Sequence, residues 1–230
     1  MKPLLIIGLV VCGLIGVAAQ ERVIGEQEFN AAVKNSERHS VAWSGKAYRR
    51  TTVSTAQAEG RPETDYSSRM VFEYGPAKER RTIFSSTFGG KPKGPDTSLL
   101  IGQWLYSRSG EGPWTRKEVQ PGAKSDDVKT AGNDQVTVLS VEYRFLGEQA
   151  FKGRNARVYM RTEKSKRTSG SSGETFESES VSKYWIDAEG LLLREEYRGQ
   201  SRSERLKSMA TVISEWELDP TIEFKVPVVP

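Results

Sequence analysis

The chain has 230 residues, with 34 basic and 30 acidic side chains and a formal net charge of +4. Because the two signs are interleaved, as in Glu79-Arg80-Arg81, the charge describes a solvated surface and excludes an extended basic platform for nucleic acid. The only cysteine, Cys12, lies within an N-terminal apolar run. The rest of the chain therefore has no means of forming a disulfide, a thiolate metal site or a cysteine nucleophile.

The N-terminus predicts a secretory signal. Lys2 supplies a positive start, residues 4–17 are uncharged and apolar, and small residues precede Gln20. A retained membrane anchor is the alternative, but the run is shorter than the ~20 residues that a spanning helix needs. Lipidation of Cys12 is disfavoured because Val11 stands before it. We expect cleavage after Ala19 and a periplasmic or secreted protein.

Residues 20–230 are enough for one domain with a real core. They begin with a predicted helix over residues 25–38, where Phe29, Ala32 and Val33 recur at helical spacing. After His39 the spacing of apolar residues changes to two, which is typical of strands buried on one face of an antiparallel sheet. The alternating stretches are residues 69–74, 100–108, 139–145, 191–197 and 212–218.

The connections carry turn residues. Residues 109–113 (SGEGP), 168–173 (TSGSSG) and 188–190 (AEG) predict hairpin tips, and residues 147–155 predict a tight reversal. Residues 89–96 (GGKPKGPD) are expected not to continue a strand, and residues 120–135 are expected to form a long polar loop. Together these signals predict a mainly β fold of roughly nine to eleven antiparallel strands in a meander, with an N-terminal helix.

Candidate catalytic groups are few. His39 is the only histidine and has no neighbours at metal-ligand spacing, so a surface contact is the favoured interpretation. Glu215 and Glu217 alternate on one predicted strand and are the best candidates for a hydrolase, although charged side chains at such positions usually face water. We predict a protein that is not an enzyme, with no cofactor and no metal.

The densest basic run is residues 164–167 (KSKR). It precedes a hairpin tip, where a solvated, edge-protecting run is the simplest interpretation. An exported protein would bring this run to an anionic membrane surface sooner than to a nucleic acid. We therefore expect only transient contact with a membrane and no nucleic-acid partner.

Five tryptophans are distributed over separate strand-like segments. They either form a filled core or line a concave apolar face. A helix of about 14 residues is only ~21 Å long, which is too short to cover a sheet of this size. Either the sheet closes on itself, or part of its apolar face stays available to a ligand.

Four segments resemble the LolA-like superfamily, the relatives of lipoprotein-localisation factors. Residues 184–194 (YWIDAEGLLLR) resemble its W-I/L-D-x-x-x-G-L-x-x-K/R hairpin, and residues 104–106 (WLY) with Trp114 resemble its W-x-Y…W hairpin. Residues 151–159 (FKGRNARVY) are similar to its glycine-containing reversal, and residues 219–227 (DPTIEFKVP) to its terminal D-P-x-x-F-x-V/L-P. The four segments are spread over the chain beyond residue 100.

The resemblance implies an unclosed, strongly curved antiparallel half-barrel with helical cover and an apolar cavity for acyl chains. It also implies, in members that transfer lipoproteins to a receptor, a basic residue inside the cavity, which none of the quoted motifs supplies. We therefore expect a divergent member, a monomeric carrier of lipid or another hydrophobic molecule. The alternative is an envelope sensor or scaffold that binds a protein partner through a sheet edge or loops.

We expect the cavity to be lined by twelve side chains that alternate on one side of the predicted strands. Their contribution would be burial of apolar area, about 1.5–3 kcal/mol for each fully buried side chain. The predicted lining residues are Phe72, Phe84, Trp104, Tyr106, Tyr143, Phe145, Met160, Trp185, Leu191, Leu193, Val212 and Trp216.

Overall fold

A computed structural model describes residues 21–37, 45–119, 135–170 and 172–229 of the chain. The predictions for the leader with Cys12, for His39 and for the loop after Val119 concern residues outside these ranges. Among the residues described, no helix is both long and apolar enough to cross a membrane.

The described chain contains one α-helix, α1, and a short 3-10 turn at Pro62–Thr64. The helix spans Glu26–Glu37, as the apolar spacing predicts. The strands are β1 (Arg22–Val23), β2 (Tyr48–Ala58), β3 (Tyr66–Tyr74), β4 (Arg80–Phe88), β5 (Lys91–Ile101), β6 (Trp104–Ser109), β7 (Thr115–Glu118), β8 (Gln135–Phe151), β9 (Arg154–Thr168), β10 (Thr175–Asp187), β11 (Leu192–Arg202) and β12 (Lys207–Leu218).

All twelve strands belong to one antiparallel sheet with the order β1-β8-β9-β10-β11-β12-β2-β3-β4-β5-β6-β7. Two meanders, β2–β7 and β8–β12, are joined side by side where β12 pairs with β2. β1 and β7 are the two edges, so the sheet is not closed. The predicted class, a curved half-barrel with an N-terminal helix, is confirmed, and the strand count is slightly higher than predicted.

One turn prediction is wrong. β5 begins at Lys91, directly after a turn at Gly89-Gly90, and continues through Pro92 and Pro95. Both prolines are tolerated because β6 pairs with β5 only from Asp96 onward, so this part of β5 has a free edge where no backbone N–H is needed. The predicted tips at residues 109–113, 168–173 and 188–190 do connect neighbouring strands.

The pairing register assigns every strand residue to one of two faces, because directly opposed residues project to the same side of a sheet. The helix-side face is the face that α1 covers. One row of opposed residues on this face runs across the sheet from β8 to β6. Its members are Phe145, Tyr159, Tyr184, Glu195, Ser214, Thr52, Met70, Phe84, Asp96 and Ser109.

The main core lies between α1 and strands β8–β11 on the helix-side face. Phe29 and Val33 of the helix are buried against Ile186 and Leu192. The ring of Phe29 lies 4.8 Å from that of Tyr143, centroid to centroid. A second cluster contains Ala156, Leu191 and Leu193, with Phe151 and Trp185 packed against it. Both clusters lie at the end of the sheet where the β8–β9 and β10–β11 turns are.

Candidate ligand-binding site

The register distributes the twelve predicted lining residues over both faces. Six of them lie on the helix-side face, namely Phe72, Phe84, Tyr143, Phe145, Val212 and Trp216. Four lie on the opposite face, namely Trp104, Tyr106, Met160 and Trp185. Leu191 and Leu193 belong to the second cluster. The twelve residues do not share one wall, and contact with a ligand stays a prediction for each of them.

The helix divides the helix-side face into two parts. Phe29 packs on Tyr143 and Tyr184, so β8–β11 are covered at the end near the β8–β9 and β10–β11 turns, where the main core lies. The contacts of α1 with the sheet are concentrated on β8 and β10. The helix-side residues of β2–β5, including Phe72 and Phe84, are only half-buried. The helix-side face of β12 and β2–β7 is called the uncovered part below, because the main contacts of α1 are on other strands.

An arginine lies where this uncovered part meets the core, because its neighbour Trp216 packs against both core clusters. Arg50 of β2 lies between Trp216 of β12 and Phe72 of β3 in the register. Its guanidinium carbon is 4.2 Å from the centroid of the Phe72 ring and 6.0 Å from that of Trp216. Cation–π contacts of this kind contribute about 0.5–2 kcal/mol each. The Arg50 site is the name used below for Arg50, Phe72 and Trp216.

Arg50 has no carboxylate partner among the residues that the structure describes. Its Nε is buried and makes no hydrogen bond there. By contrast, Arg49 and Arg81 project to the opposite face and are paired with Glu73. The Arg50 charge thus lacks a carboxylate partner in the described structure, and an anionic group near the guanidinium would be favourable.

Two tyrosines extend the Arg50 site toward the end of the sheet. The rings of Tyr48 and Tyr74 are stacked with centroids 4.5 Å apart. Burial and the neighbouring Tyr74 raise the pKa of the Tyr48 phenol to about 12, although the Arg50 charge acts in the opposite direction. Tyr48 therefore stays neutral and contributes an apolar ring with a polar end.

A groove continues the same row of side chains toward β7. Its volume is about 390 Å³, which is within the usual range of small-molecule sites. Phe84 and Pro113 supply apolar surface. Hydroxyls, the Asp96 carboxylate and Arg108 supply the rest, and the Asp96 carboxylate accepts a hydrogen bond of 2.5 Å from Ser109. The polar lining residues are Thr82, Asp96, Thr97, Ser98, Ser107, Arg108, Ser109 and Thr115.

Small side chains cover the remaining floor of the uncovered part. Ser54, Ser68 and Ala56 face the helix side in the centre of the sheet. On β11, Gly199 leaves room for the ring of Tyr197, since a Cβ at residue 199 would lie only 2.4 Å from the Tyr197 hydroxyl. The floor is therefore shallow and contains many hydroxyls, and the apolar surface is concentrated around the Arg50 site.

The two glutamates considered for hydrolysis lie on the opposite face. Glu215 is 2.7 Å from Arg194 and 2.9 Å from Lys152, and Glu217 is 3.4 Å from Arg49. Burial would lower the pKa of Lys152, but Glu215 and Glu217 outweigh it and raise that pKa. Both carboxylates thus take part in an ion-pair network, away from the groove.

A buried carboxylate stabilises the uncovered part from behind. Glu73 is 4% exposed and accepts hydrogen bonds from Arg49 and Arg81 on the opposite face of β3. The C-terminal segment passes beside this triad. Asp219 is 3.0 Å from Arg49, and the ring of Phe224 lies 5.9 Å from the Arg81 guanidinium carbon. The C-terminal segment, residues 219–227, therefore contacts the opposite face of the sheet.

Apolar periodicity could not have identified Arg50. Its neighbours on the helix-side face of β2 are Thr52, Ser54 and Ala56, so the interior of this strand is not apolar. The one available signal was the two-residue spacing between Tyr48 and Arg50, which places both side chains on the same face of a strand. Only the cross-strand register reveals Phe72 and Trp216 as its neighbours.

Comparison with known proteins finds a likeness among solved structures. No protein-family model and no curated protein matches the sequence. The structure matches that of a LolA superfamily protein from Nitrosomonas europaea over 86% of this chain and 94% of that chain, with 7% identity and a TM-score of 0.29. This is the superfamily that the hairpin motifs resemble. At this identity and TM-score, the likeness does not extend to function.

Metal binding has no support in the described part of the chain. Within residues 21–37, 45–119, 135–170 and 172–229, no group of three or more His, Cys, Asp or Glu side chains is placed to hold an ion. The chemistry available at the Arg50 site is a positive charge, aromatic surface and hydroxyl groups. These suit non-covalent binding.

Proposed function

We propose that this protein is an exported, non-enzymatic carrier that binds a lipid or another hydrophobic molecule on the uncovered part of the helix-side face. The observation that supports this most directly is the Arg50 site. There a guanidinium with no carboxylate partner among the described residues lies beside two aromatic rings on a half-buried face. An apolar chain would cover the rings, and a polar headgroup oxygen would accept a hydrogen bond from Arg50.

The ligand class follows from the composition of this surface. A wholly apolar ligand would leave the Arg50 charge without an anionic partner, which disfavours it. A fatty acid or a lipid with an anionic or carbonyl-containing headgroup satisfies both parts. The hairpin motifs that resemble the LolA-like superfamily agree with such a ligand. Export rests on the leader sequence, which lies outside the described residues.

Native mass spectrometry of the protein purified from exported expression, before and after organic extraction, tests the proposal. We expect bound lipid, and after extraction we expect uptake of a fluorescent fatty acid. The matched variants are Arg50→Met at the site and Arg69→Met, which removes an exposed arginine from the opposite face of β3. The absence of both bound lipid and fatty-acid uptake in the unsubstituted protein would overturn the proposal.

A further inference from the structure

The two ends of the described sheet differ in how their edges are protected. β7, at one end, consists of Thr115, Arg116, Lys117 and Glu118. Charged side chains of this kind discourage pairing with another strand. The first half of β8, at the other end, carries a single charge over residues 135–142, and this charge, Glu142, is paired with Arg144.

The unprotected half of β8 is also apolar and exposed. Val136, Val138 and Leu139 are 59%, 53% and 60% exposed. Val136, Val138 and Val141 lie on the helix-side face, opposite Arg167, Ser165 and Glu163 of β9. Along β8, they lie on the same face as Tyr143 and Phe145 but beyond the area that α1 covers.

The outer edge of this half-strand has no partner among the described residues. β1 pairs only with Arg144 and Phe145, and the Ile24 N–H donates to the Tyr143 carbonyl at 3.0 Å. From residue 142 back to residue 135, the outward N–H and C=O groups of β8 face no described strand. Such a row is a template for strand addition.

We propose that residues 135–142 pair with the same residues of a second copy of this chain, antiparallel about a two-fold axis. In the register that uses the whole free segment, each residue is opposed by one of like chemistry. Gln135 faces Glu142, Val136 faces Val141, Thr137 faces Ser140 and Val138 faces Leu139. Because Ile24 and β1 occupy the edge at residues 143–145, this register ends where the free segment ends.

A β-bulge makes this register consistent with the faces of the sheet. Around a two-fold axis perpendicular to a sheet, opposed residues must project to the same side. Thr137 and Ser140 would point to opposite sides in a regular strand, because they are three residues apart. The register shift between Val138 and Ser140 places both on the face of Lys166 and Lys164.

The bulge also selects a second copy over an unrelated peptide. A bulge twists an edge away from a regular strand and so opposes its addition. A strand that carries the same bulge at the matching position follows the same twist. The pairing joins two identical patches, as expected of a symmetric dimer, and it departs from the monomer expected from the sequence.

Disulfide trapping tests the register. In the full chain with Cys12→Ser, which has no other thiol, the variants Thr137→Cys and Ser140→Cys are oxidised separately and as a mixture. Opposed residues are within disulfide reach, whereas residue 137 lies about 10 Å from residue 137 of the other copy along the strand. We expect cross-linked dimer from the mixture and little from either variant alone.

Sedimentation equilibrium measures the association itself. We expect concentration-dependent dimerisation that Val138→Lys weakens at least about tenfold. Val53→Lys places the same charge on an exposed valine inside the sheet and is expected to leave dimerisation unchanged. A monomer at all concentrations up to about 1 mM, equal weakening by both variants, or equal cross-linking of each cysteine variant alone would overturn the proposal. So would amide protection of residues 135–142 in the monomer, which would show that the chain covers its own edge.

Discussion

The two parts of the helix-side face contain similar aromatic side chains, but these side chains differ in what covers them. Over β8–β11, Tyr159, Ile186 and Leu192 are buried together with Phe29 of the helix and form a core. Over β2–β5, Phe72 and Phe84 remain half-buried, and an arginine lies among them. Aromatic residues on this face therefore belong to a buried core only where the helix packs against the sheet.

The largest expected effect is the loss of the helix cover. Phe29→Ala removes a ring that is 4% exposed, and we expect the free energy of unfolding to fall by about 3–5 kcal/mol. Phe84→Ala removes the same ring from the uncovered part. It is expected to cost less than half as much, because part of that ring is already in contact with water. Urea denaturation of both variants measures the difference, and equal losses would contradict the division of this face.

A smaller loss of stability is expected when Glu73 is substituted on the opposite face of β3. Glu73→Gln removes a buried charge that Arg49 and Arg81 share, and the free energy of unfolding should fall by about 1–3 kcal/mol. Glu217→Gln is the control, since the Glu217 side chain is 41% exposed and its ion pairs are screened by water. The same denaturation experiment compares them. A larger loss for Glu217→Gln would show that the Glu73 triad does not support β3.

Substitution of Arg50 separates binding from folding. Arg50→Met keeps an unbranched side chain against Phe72 and removes the charge, so we expect fatty-acid affinity to fall about tenfold, which corresponds to ~1.4 kcal/mol. The free energy of unfolding should change by less than about 1 kcal/mol, since the removed charge has no carboxylate partner in the described structure. Fluorescence titration measures the affinity, with Arg69→Met as the control. Unchanged affinity would remove Arg50 from the site.

The smallest expected effect concerns the ionisation of Tyr48, which lies beside the Arg50 site. The pKa of Tyr48 is raised from 10.0 to about 12, mainly by burial. Between these two values the unfolded chain loses the phenol proton and the folded chain keeps it, so stability falls as pH rises through this interval. Ultraviolet absorbance should show one late tyrosine titration that is absent from Tyr48→Phe. Arg50→Met should raise the Tyr48 pKa further, and an unshifted titration would contradict the buried position.

Helical spacing predicted α1 and period-two spacing predicted most strands, whereas the open half-barrel was implied by the resemblance to the LolA-like superfamily. The turn residues misled at β5, where Pro92 and Pro95 are accommodated by a free edge that only the strand order reveals. Period-two spacing also could not assign faces between strands. Trp104 and Trp185 alternate as regularly as Phe72 does, yet the register places them on the opposite face.

The Arg50 site was outside the reach of the sequence for a related reason. A polar residue at an interior position leaves no apolar signal, and its importance comes from Phe72 and Trp216, which belong to other strands. The terminal motif of residues 219–227 was noted only for its resemblance to the LolA-like superfamily. Its contact with Arg49 and Arg81 follows only from the folded chain.

The most direct test of the central claim is quenching of tryptophan fluorescence by a fatty acid with a brominated chain. Trp216 lies beside Arg50 on the helix-side face, and Trp104 lies on the opposite face. We predict quenching in the unsubstituted protein that is largely lost in Trp216→Phe and retained in Trp104→Phe. Quenching that persists in Trp216→Phe and disappears in Trp104→Phe would place the ligand on the other side of the sheet and contradict the account.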